Sequence, residues 1–385
     1  MGKFDYYIRK IESRENKNQK RVLGSFRPLK NGRIEKDGKV YLNLSSNDYL
    51  GLSFNEKIIE RGFQYTRKYG CGTGASRLVT GSPEIFSEVE NKIADLKKKD
   101  RAIILNSGYQ ANIGVLSSLA SRKSIIFSDC LNHNSLVRGA ILSGAENKRF
   151  RHNDLAHLEE LLEETKDKKY SSKIIVTESV FSMDGDIPDL DHIADLSEKY
   201  GCIFVVDEAH ATGVFGENSM GIGDRADISI GTFGKGGGSF GAYVACSEKM
   251  YEYFVNFCEP LIFSTSLTPF NIGAIEAFLD LVPDLDDKRA ELLRNSSILR
   301  NGLKDLGFEV PEGATQIIPV IAGSEKNAIE LSGFLKEKNI LAVPIRPPTV
   351  PENKSRIRIS LCASHSKNDI EYILSVFDEY KKRPA

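Results

Sequence analysis

"KIIVTESVFSMDGDIPDLDHIADLSEKYGCIFVVDEAH", residues 173–210, contains the pattern that decides the fold. It begins and ends with short apolar runs rich in β-branched residues, which predict two buried strands. The segment between them predicts a helix that ends at Gly201, because glycine favours the backbone conformation that terminates helices. Strands and helices follow one another in turn, and the strands are apolar at successive positions instead of alternating apolar with polar residues. This pattern predicts a mostly parallel sheet covered by helices on both faces.

The same alternation extends along most of the chain, with further predicted strands in "RAIIL", "KSIIFSD", "DISIGTF" and "GAYVACS". One helix is predicted to be capped by Ser82, with Pro83 at its first position. From about residue 285 a charged helix leads to two isolated strands and a terminal helix, which predicts a smaller α+β domain. We therefore predict an N-terminal segment over residues 1–45, formed by a helix and a connecting arm, a large domain over 46–283 and a small domain over 284–385.

Composition and charge exclude several function classes. The 385 residues include 52 basic and 53 acidic side chains, a net charge of -1, so no bulk field attracts nucleic acid or an anionic membrane. The N-terminal residues lack the apolar core of a secretory signal, and no apolar run approaches the roughly 20 residues of a membrane helix. We expect a cytoplasmic globular protein with no nucleic-acid partner and no membrane association.

The cysteines and histidines give little support for a metal site or a disulfide framework. The six cysteines form no CxxC pair, and the six histidines show no HExxH spacing. We expect free, mostly buried thiols and no bound metal.

Polar or nucleophilic residues follow several predicted strands, where open α/β sheets bind ligands. Each of them alone is as consistent with a helix cap, a turn or a solvated side chain. Together they indicate a site, whose candidates are Ser107, Gly108, Tyr109, Asp129, His133, Ser182, Asp184, Asp207, Glu208, His210, Thr232 and Lys235.

Lys235 stands among glycines in "TFGKGGGSF", residues 232–240. The simpler interpretation is a glycine-rich turn with a solvated lysine. The alternative is a nucleophilic amine, and pyridoxal phosphate (PLP) is a cofactor that needs one, because its aldehyde forms a Schiff base with lysine. Its ring nitrogen needs a carboxylate such as Asp207, and its phosphate suits a helix N-terminus such as Gly108–Tyr109. The glycines after Lys235 are expected to let the backbone pass close to the cofactor.

A series of motifs from about residue 40 to the C-terminus resembles the α-oxoamine synthases. These are PLP-dependent enzymes of fold type I that condense an amino acid with an acyl thioester and release CO2. The resemblance rests on their order in the chain, which is "SSNDYLGLS", "GTGASRLVTGS", "NSGYQANIGVL", "SDCLNHNSLVRGA", "RFRHND", "TESVFSMDGD", "VDEAHATGVFG", "TFGKGGGSFGAYV" and "IFSTSLTP".

The resemblance implies a role for each matching residue. Lys235 would form the Schiff base and later move the proton at the substrate α-carbon, Asp207 would pair with the pyridine nitrogen, and His133 would stack on the ring and contact substrate. The remaining cofactor contacts would be His210 and Ser182 at the ring oxygen, and Thr232, Gly108 and Tyr109 at the phosphate. A homodimer is also implied, in which Ser264–Leu267 reach the partner's phosphate.

The substrate side of the resemblance is more specific. "IRPPTVPENKSRIRISLCASH", residues 345–365, is most similar to the 8-amino-7-oxononanoate synthase branch, which uses L-alanine and a pimeloyl thioester in biotin biosynthesis. Arg358 would bind the substrate carboxylate, and Thr349 and Arg21 would contact the acyl group, carried on coenzyme A or on acyl carrier protein. Two alternatives stay open: a glycine-using relative such as 2-amino-3-ketobutyrate coenzyme A ligase, and a protein of this fold that only binds.

Overall fold

The computed structural model describes residues 2–383, so Met1 and residues 384–385, the ends of the first and last predicted domains, lie outside the described residues. The chain forms two compact units. The larger unit contains Leu52–Ser182 and Asp186–Asp287. The smaller unit combines the N-terminal segment as far as Gly51, the short segment Met183–Gly185 and the chain from Lys288 onward. The predicted division into three ranges stays a prediction.

The strands and helices are numbered in chain order. The strands are β1 (Arg27–Leu29), β2 (Arg33–Lys36), β3 (Lys39–Asn43), β4 (Arg101–Leu105), β5 (Ile125–Asp129), β6 (Glu146–Phe150), β7 (Lys173–Glu178), β8 (Ile203–Asp207), β9 (Ile228–Thr232), β10 (Ala242–Cys246), β11 (Ile317–Gly323), β12 (Ile340–Leu341), β13 (Pro344–Ile345) and β14 (Ser355–Ser360). The α-helices are α1 (Asp5–Asn16), α2 (Glu56–Tyr69), α3 (Ile85–Lys97), α4 (Gly108–Leu119), α5 (Asn134–Ser143), α6 (Leu155–Glu163), α7 (Leu190–Tyr200), α8 (Glu248–Phe257), α9 (Glu259–Ile262), α10 (Pro269–Leu281), α11 (Asp286–Asp305), α12 (Glu325–Glu337) and α13 (Lys367–Lys381), with a 3-10 turn at Val282–Asp284.

A seven-stranded sheet forms the centre of the larger unit, in the order β4-β10-β9-β8-β7-β5-β6. Strand β10 runs antiparallel to β4 and β9, and the pairs from β9 to β6 are parallel. The predicted mostly parallel sheet is therefore confirmed.

The central strands are apolar without alternation because both faces of the sheet are covered. Successive residues of β7 belong to different cores: Ile174 and Val176 pack in one buried cluster and Ile175 in another. Since side chains alternate across a strand, a continuous apolar run supplies both cores at once.

Two helix ends show where the local predictions succeed and where one fails. Helix α7 ends at Gly201, whose φ of 62° lies in the left-handed region, as predicted. The predicted cap at Ser82 is wrong: helix α3 follows Glu84 and has no side-chain cap. The Ser82 hydroxyl instead accepts a hydrogen bond from Arg77 Nε at 2.9 Å, a tertiary contact that the helix signal does not contain.

The smaller unit contains a four-stranded sheet in the order β1-β2-β3-β12 and a three-stranded sheet in the order β11-β14-β13. The predicted helix of the N-terminal segment corresponds to α1, which has no buried residue. The predicted connecting arm contains β1, β2 and β3, which form antiparallel pairs.

Candidate active site

A cavity of about 170 Å³ opens at the carboxyl ends of β7, β8 and β9 in the larger unit. This is the edge at which ligands bind in open α/β sheets. The cavity is lined by Gly108, Tyr109, Asn112, His133, Ser135, Glu178, Asp207, Ala209, His210, Thr232 and Lys235. Seven of these residues were predicted from the sequence as site residues, so the structure brings together most of the predicted cofactor contacts.

Lys235 contributes a half-buried amine to the cavity wall. Its Nζ lies 2.8 Å from Nε2 of the buried His210. The amine and the imidazole are therefore within hydrogen-bond distance, an arrangement in which the amine is held in place and can exchange a proton.

The glycines after Lys235 are also required by packing within the protein, while their predicted approach to the cofactor stays a prediction. A Cβ on Gly236 would lie 2.4 Å from the carbonyl oxygen of Thr212, and one on Gly238 would lie 2.6 Å from the backbone of Leu52. Gly238 also has a φ of +61°, which disfavours larger residues. The glycines let this loop pack against neighbouring backbone segments of the same unit, and this packing places Lys235.

Asp207 ends β8, and both of its carboxylate oxygens are held. Oδ1 accepts from the Ala209 N–H at 2.8 Å, and Oδ2 accepts from Asn112 Nδ2 at 2.6 Å. The residue is 5% exposed, so water contributes little to its solvation. A buried carboxylate oriented in this way can hold a proton on a basic nitrogen beside it.

His133 is the N-cap of α5, and its Nδ1 lies 2.7 Å from the Ser135 hydroxyl. The Tyr109 ring meets the imidazole edge to face, with 6.4 Å between the ring centroids. The pKa of His133 lies below its usual value mainly because of burial; the Asp207 charge opposes this shift and the Lys235 charge adds to it. At neutral pH the ring is therefore an uncharged aromatic surface, which suits stacking.

Glu178 is a cavity residue that the sequence reasoning missed. It ends β7 beside Asp207 in the parallel register, and its Oε1 accepts from the His133 N–H at 2.6 Å. Burial, and then the adjacent Asp207 charge, raises the pKa of Glu178 to about 8. The sequence could have indicated Glu178, because a carboxylate at the end of a central apolar strand lies at the same edge of the sheet as Asp207.

The N-terminus of α4 borders the cavity opposite Thr232. The Ser107 side chain caps this helix, and the first-turn N–H groups of Gly108 and Tyr109 have no acceptor inside the helix. A Cβ on Gly108 would lie 3.6 Å from Thr232 Cβ, so the helix start and the end of β9 are in close contact. Free N–H groups and the helix dipole make this end suitable for an anion.

Five of the predicted strand-end residues do not line the cavity, and one of them, Ser107, caps α4. Glu208 forms a buried ion pair with Lys97 at 3.0 Å and accepts from the Ile222 and Gly223 N–H groups. The others are Asp129, bonded to His152; Asp184, which pairs with Arg356 in the smaller unit; and Ser182, half-buried on the loop after β7. Asp207 and Glu208 are consecutive in the chain, yet only Asp207 lines the cavity.

The predicted substrate contacts lie in the smaller unit. Arg358 is buried, with Nη1 donating to Asn47 Oδ1 at 3.0 Å and to Ser360 Oγ at 2.7 Å. Arg21 and Thr349 are distant in sequence but directly bonded: Arg21 Nη2 donates to Thr349 Oγ1 at 2.9 Å in an exposed position. The structure thus brings the two predicted acyl contacts together.

Comparisons with known proteins place this geometry in a family. Residues 39–377 match the family described as aminotransferase class I and II. The chain is 47% identical over 384 residues to a protein of Desulfosudis oleivorans named "Putative 8-amino-7-oxononanoate synthase", which covers 99% of this chain and 100% of that protein. The chain belongs to the α-oxoamine synthase family. Its fold is therefore the PLP-dependent fold type I that the motifs predicted, and pyridoxal phosphate is its cofactor.

Two solved structures of α-oxoamine synthases support this assignment. A serine palmitoyltransferase of S. paucimobilis with bound PLP and myriocin aligns with a TM-score of 0.91 and 28% identity, covering 98% of this chain and 97% of that one. An 8-amino-7-oxononanoate synthase of Francisella tularensis aligns with a TM-score of 0.76 and 27% identity, covering 89% and 98%.

The cavity residues of this α-oxoamine synthase fit PLP by their chemistry. They supply an amine at Lys235, a buried carboxylate at Asp207, an aromatic imidazole at His133 and a helix N-terminus at Gly108. Asn112 also lines the cavity, and its buried Oδ1 has no hydrogen-bond partner within residues 2–383. Over the same residues, no cluster of three metal-ligating side chains occurs and no helix is long and apolar enough to span a membrane.

Proposed function

We propose that this α-oxoamine synthase condenses L-alanine with a pimeloyl thioester, giving 8-amino-7-oxononanoate, CO2 and a free thiol, a step of biotin biosynthesis. The observation that carries the proposal is the 47% identity, over nearly the whole length of both chains, to the D. oleivorans protein of that name. The acyl group would be carried on coenzyme A or on acyl carrier protein.

When bound, PLP supplies an aldehyde that condenses with amines and a ring that withdraws electrons from the substrate α-carbon. Lys235 would provide the amine that holds the cofactor and, once alanine has replaced it, the base and acid at the α-carbon. The 2.8 Å contact with His210 supports this role, because it keeps the released amine oriented beside a group that can exchange its proton.

Asp207 would keep the ring nitrogen protonated, since both of its oxygens are fixed and its charge is shielded from water. His133, neutral because its pKa is lowered, would cover the ring face and contact the substrate. His210 and Ser182 would lie at the ring oxygen, and Gly108, Tyr109 and Thr232 at the phosphate.

The smaller unit would select the substrates. Arg358 presents a buried guanidinium, a planar donor suited to a carboxylate such as that of alanine. Arg21 and Thr349 would bind the acyl substrate, and their direct bond makes them one polar contact for a terminal carboxylate.

We further propose a cytoplasmic homodimer, in which Ser264–Leu267 of one protomer reach the cofactor phosphate of the other. This part rests on the family resemblance. Sedimentation of the holoenzyme tests it directly: an active monomer at assay concentration would contradict the dimer.

Two alternatives concern the amino substrate. The glycine-using branch, such as 2-amino-3-ketobutyrate coenzyme A ligase, shares the chemistry up to the acyl step, so Lys235 and Asp207 do not discriminate against it. Serine with a long acyl chain is favoured by one observation, the TM-score of 0.91 to the serine palmitoyltransferase. We prefer alanine because the more identical relative carries the 8-amino-7-oxononanoate synthase name.

The test is a comparison of kcat/KM for alanine, glycine and serine with pimeloyl, heptanoyl, acetyl and palmitoyl thioesters, measured by thiol release. Alanine with the pimeloyl thioester should be best. Its advantage over glycine should be about tens-fold, because one methyl group contributes only about 1–3 kcal/mol. Heptanoyl lacks only the terminal carboxylate and is the matched control for that group. A best pair of glycine with acetyl, or of serine with palmitoyl, would assign the enzyme to the corresponding branch.

A further inference from the structure

His152 lies between two carboxylates outside the cavity of the larger unit. Its Nδ1 is 3.0 Å and 3.1 Å from the two oxygens of Asp129, and its Nε2 is 2.8 Å from Asp186 Oδ2. Ionised carboxylates only accept hydrogen bonds, so both ring nitrogens must donate, which only the imidazolium form can do. The contacts therefore define a charged triad of Asp129, His152 and Asp186.

The pKa of His152 agrees with this geometry. Burial alone would lower it, but the hydrogen bonds and charges of Asp129 and Asp186 outweigh burial and raise the pKa to about 10. Asp129 is fully buried, so its charge needs these donors. The imidazolium is consequently the resting form of His152 at neutral pH.

Asp129 connects the triad to the loop that presents His133. Its side chain also accepts from the Leu131 N–H at 2.8 Å and from the Asn153 N–H at 3.0 Å. The far end of that loop is held by the bond from the His133 N–H to Glu178. The position of His133 thus depends on anchors at both ends of the loop, and the triad is one of them.

Asp186 connects the triad to the segment that contains Ser182. Its carbonyl oxygen accepts from the Phe181 N–H at 3.0 Å, next to Ser182 in the chain. The Phe181 ring meets the His152 ring edge to face at 4.5 Å. The imidazolium is therefore in contact with the residue before Ser182 as well as with Asp186.

We propose that His152 is a permanently charged positioning residue, which holds the loops of His133 and Ser182 in the geometry that binds PLP. The inference rests on the proposed cofactor contacts of His133 and Ser182, but not on the identity of either substrate. It predicts that the triad acts on cofactor affinity and not only on folding.

The charge of His152 can be measured without the cofactor. NMR of histidine-labelled apoenzyme should show one imidazole that stays protonated between about pH 6 and 9, whereas an unperturbed histidine titrates near 6.5. The signal is assigned by its loss in His152→Gln. Titration of His152 near its ordinary value would overturn the proposal.

The positioning role is measured by adding PLP to apoenzyme variants and recording the dissociation constant and the visible spectrum. His152→Gln removes the positive charge, and Asp186→Asn removes one of the two negative charges that hold it; each should weaken PLP binding about tenfold or more, the scale of one charged hydrogen bond. The double variant should be little worse than either single variant, because all of them break the same contact. His152→Arg restores the charge and should recover most of the affinity.

His157→Gln is the matched control, because His157 is a neighbouring histidine that accepts from the Arg151 N–H and belongs to no triad. It should bind PLP as the native chain does. Native affinity in both His152→Gln and Asp186→Asn, even with lowered thermal stability, would reduce the triad to a structural role and refute the inference. If His152→Gln does not fold, the PLP affinity of Asp186→Asn decides, and the NMR signal is assigned by its loss in His152→Arg instead. None of these measurements uses alanine or a thioester, so an error in the proposed substrates leaves them unaffected.

Discussion

The cavity of the larger unit and the Arg21–Thr349 contact of the smaller unit hold their polar groups in opposite ways. In the cavity, both oxygens of Asp207 are bonded and the side chain is 5% exposed. The bond between Arg21 and Thr349 is exposed, so water can replace it. The group proposed to serve the chemistry common to the family is thus buried and fixed, whereas the proposed selection of the acyl group depends on a replaceable contact.

This contrast determines the size of the expected effects. A buried group that loses its partner bears a desolvation penalty of about 1–3 kcal/mol or more, while an exposed contact contributes little. Substitutions in the cavity should therefore abolish or strongly impair the reaction, and those in the exposed pair should shift substrate preference.

The largest effect is expected for Lys235→Ala. It removes the residue proposed both to attach PLP covalently and to move the α-proton, and general acid–base catalysis alone contributes about 10²–10⁴ in rate. Turnover should fall below detection, and borohydride reduction should no longer attach PLP to the peptide containing residue 235. Lys249→Ala, at an exposed lysine, is the control. PLP trapped on another peptide of the native enzyme would refute the assignment.

Asp207→Asn should come next, since it keeps the size of the side chain but removes its charge. PLP should still bind, while α-proton exchange of alanine in deuterated water should slow by roughly 10²–10³, the effect of losing one oriented electrostatic partner. Glu208→Gln is the informative comparison, because it alters the buried Lys97 ion pair behind the cavity and should lower the free energy of unfolding instead. If α-proton exchange in Asp207→Asn is as fast as in the native enzyme, the proposed role of Asp207 at the ring nitrogen is wrong.

Glu178→Gln tests the pH dependence of the apoenzyme. The pKa of Glu178 is raised from its usual value to about 8, so between about pH 4.5 and 8 the folded state binds a proton that the unfolded state has lost. The native chain should therefore lose stability across this window as pH rises. Glu178→Gln has no proton to lose at this position. Its free energy of unfolding should therefore rise relative to that of the native chain as pH increases, and the difference should level off above about pH 8. A difference in denaturation midpoint between the two proteins that is the same at all pH values would contradict this prediction.

The smallest effect is expected for Arg21→Ala. Because the Thr349 contact is exposed, the free energy of unfolding should change by less than about 0.5 kcal/mol. The KM for the pimeloyl thioester should rise by about tenfold at most, while that for the heptanoyl thioester should stay the same. Thr349→Ala should reproduce part of the change. An equal rise in KM for both thioesters would show that Arg21 and Thr349 do not bind the terminal carboxylate.

Much of the fold was predictable because its determinants are local. The apolar strands and the helices between them follow from hydrophobic periodicity, and the residues at the strand ends follow from the rule that parallel strands present their carboxyl ends at one edge. Lys235, Asp207, His133, His210 and Thr232 were located in this way. The comparisons confirm the fold class, the family and the cofactor, while the individual roles of these residues stay predictions.

The amino-acid sequence by itself determined which residue types stand at the ends of the strands, since residue identity and hydrophobic periodicity are both local properties of the sequence. Only the tertiary structure decided which of them meet. Glu178 and Asp207 are 29 positions apart and become neighbours through the register of β7 with β8; burial, and then the Asp207 charge, raises the pKa of Glu178. Likewise, the glycines after Lys235 are required by the carbonyl of Thr212 and the backbone of Leu52, and Ser82 bonds Arg77 instead of capping its helix. The physical reason is the same in each case: burial and pairing between distant segments set charge, packing and hydrogen bonding, and no local pattern contains them.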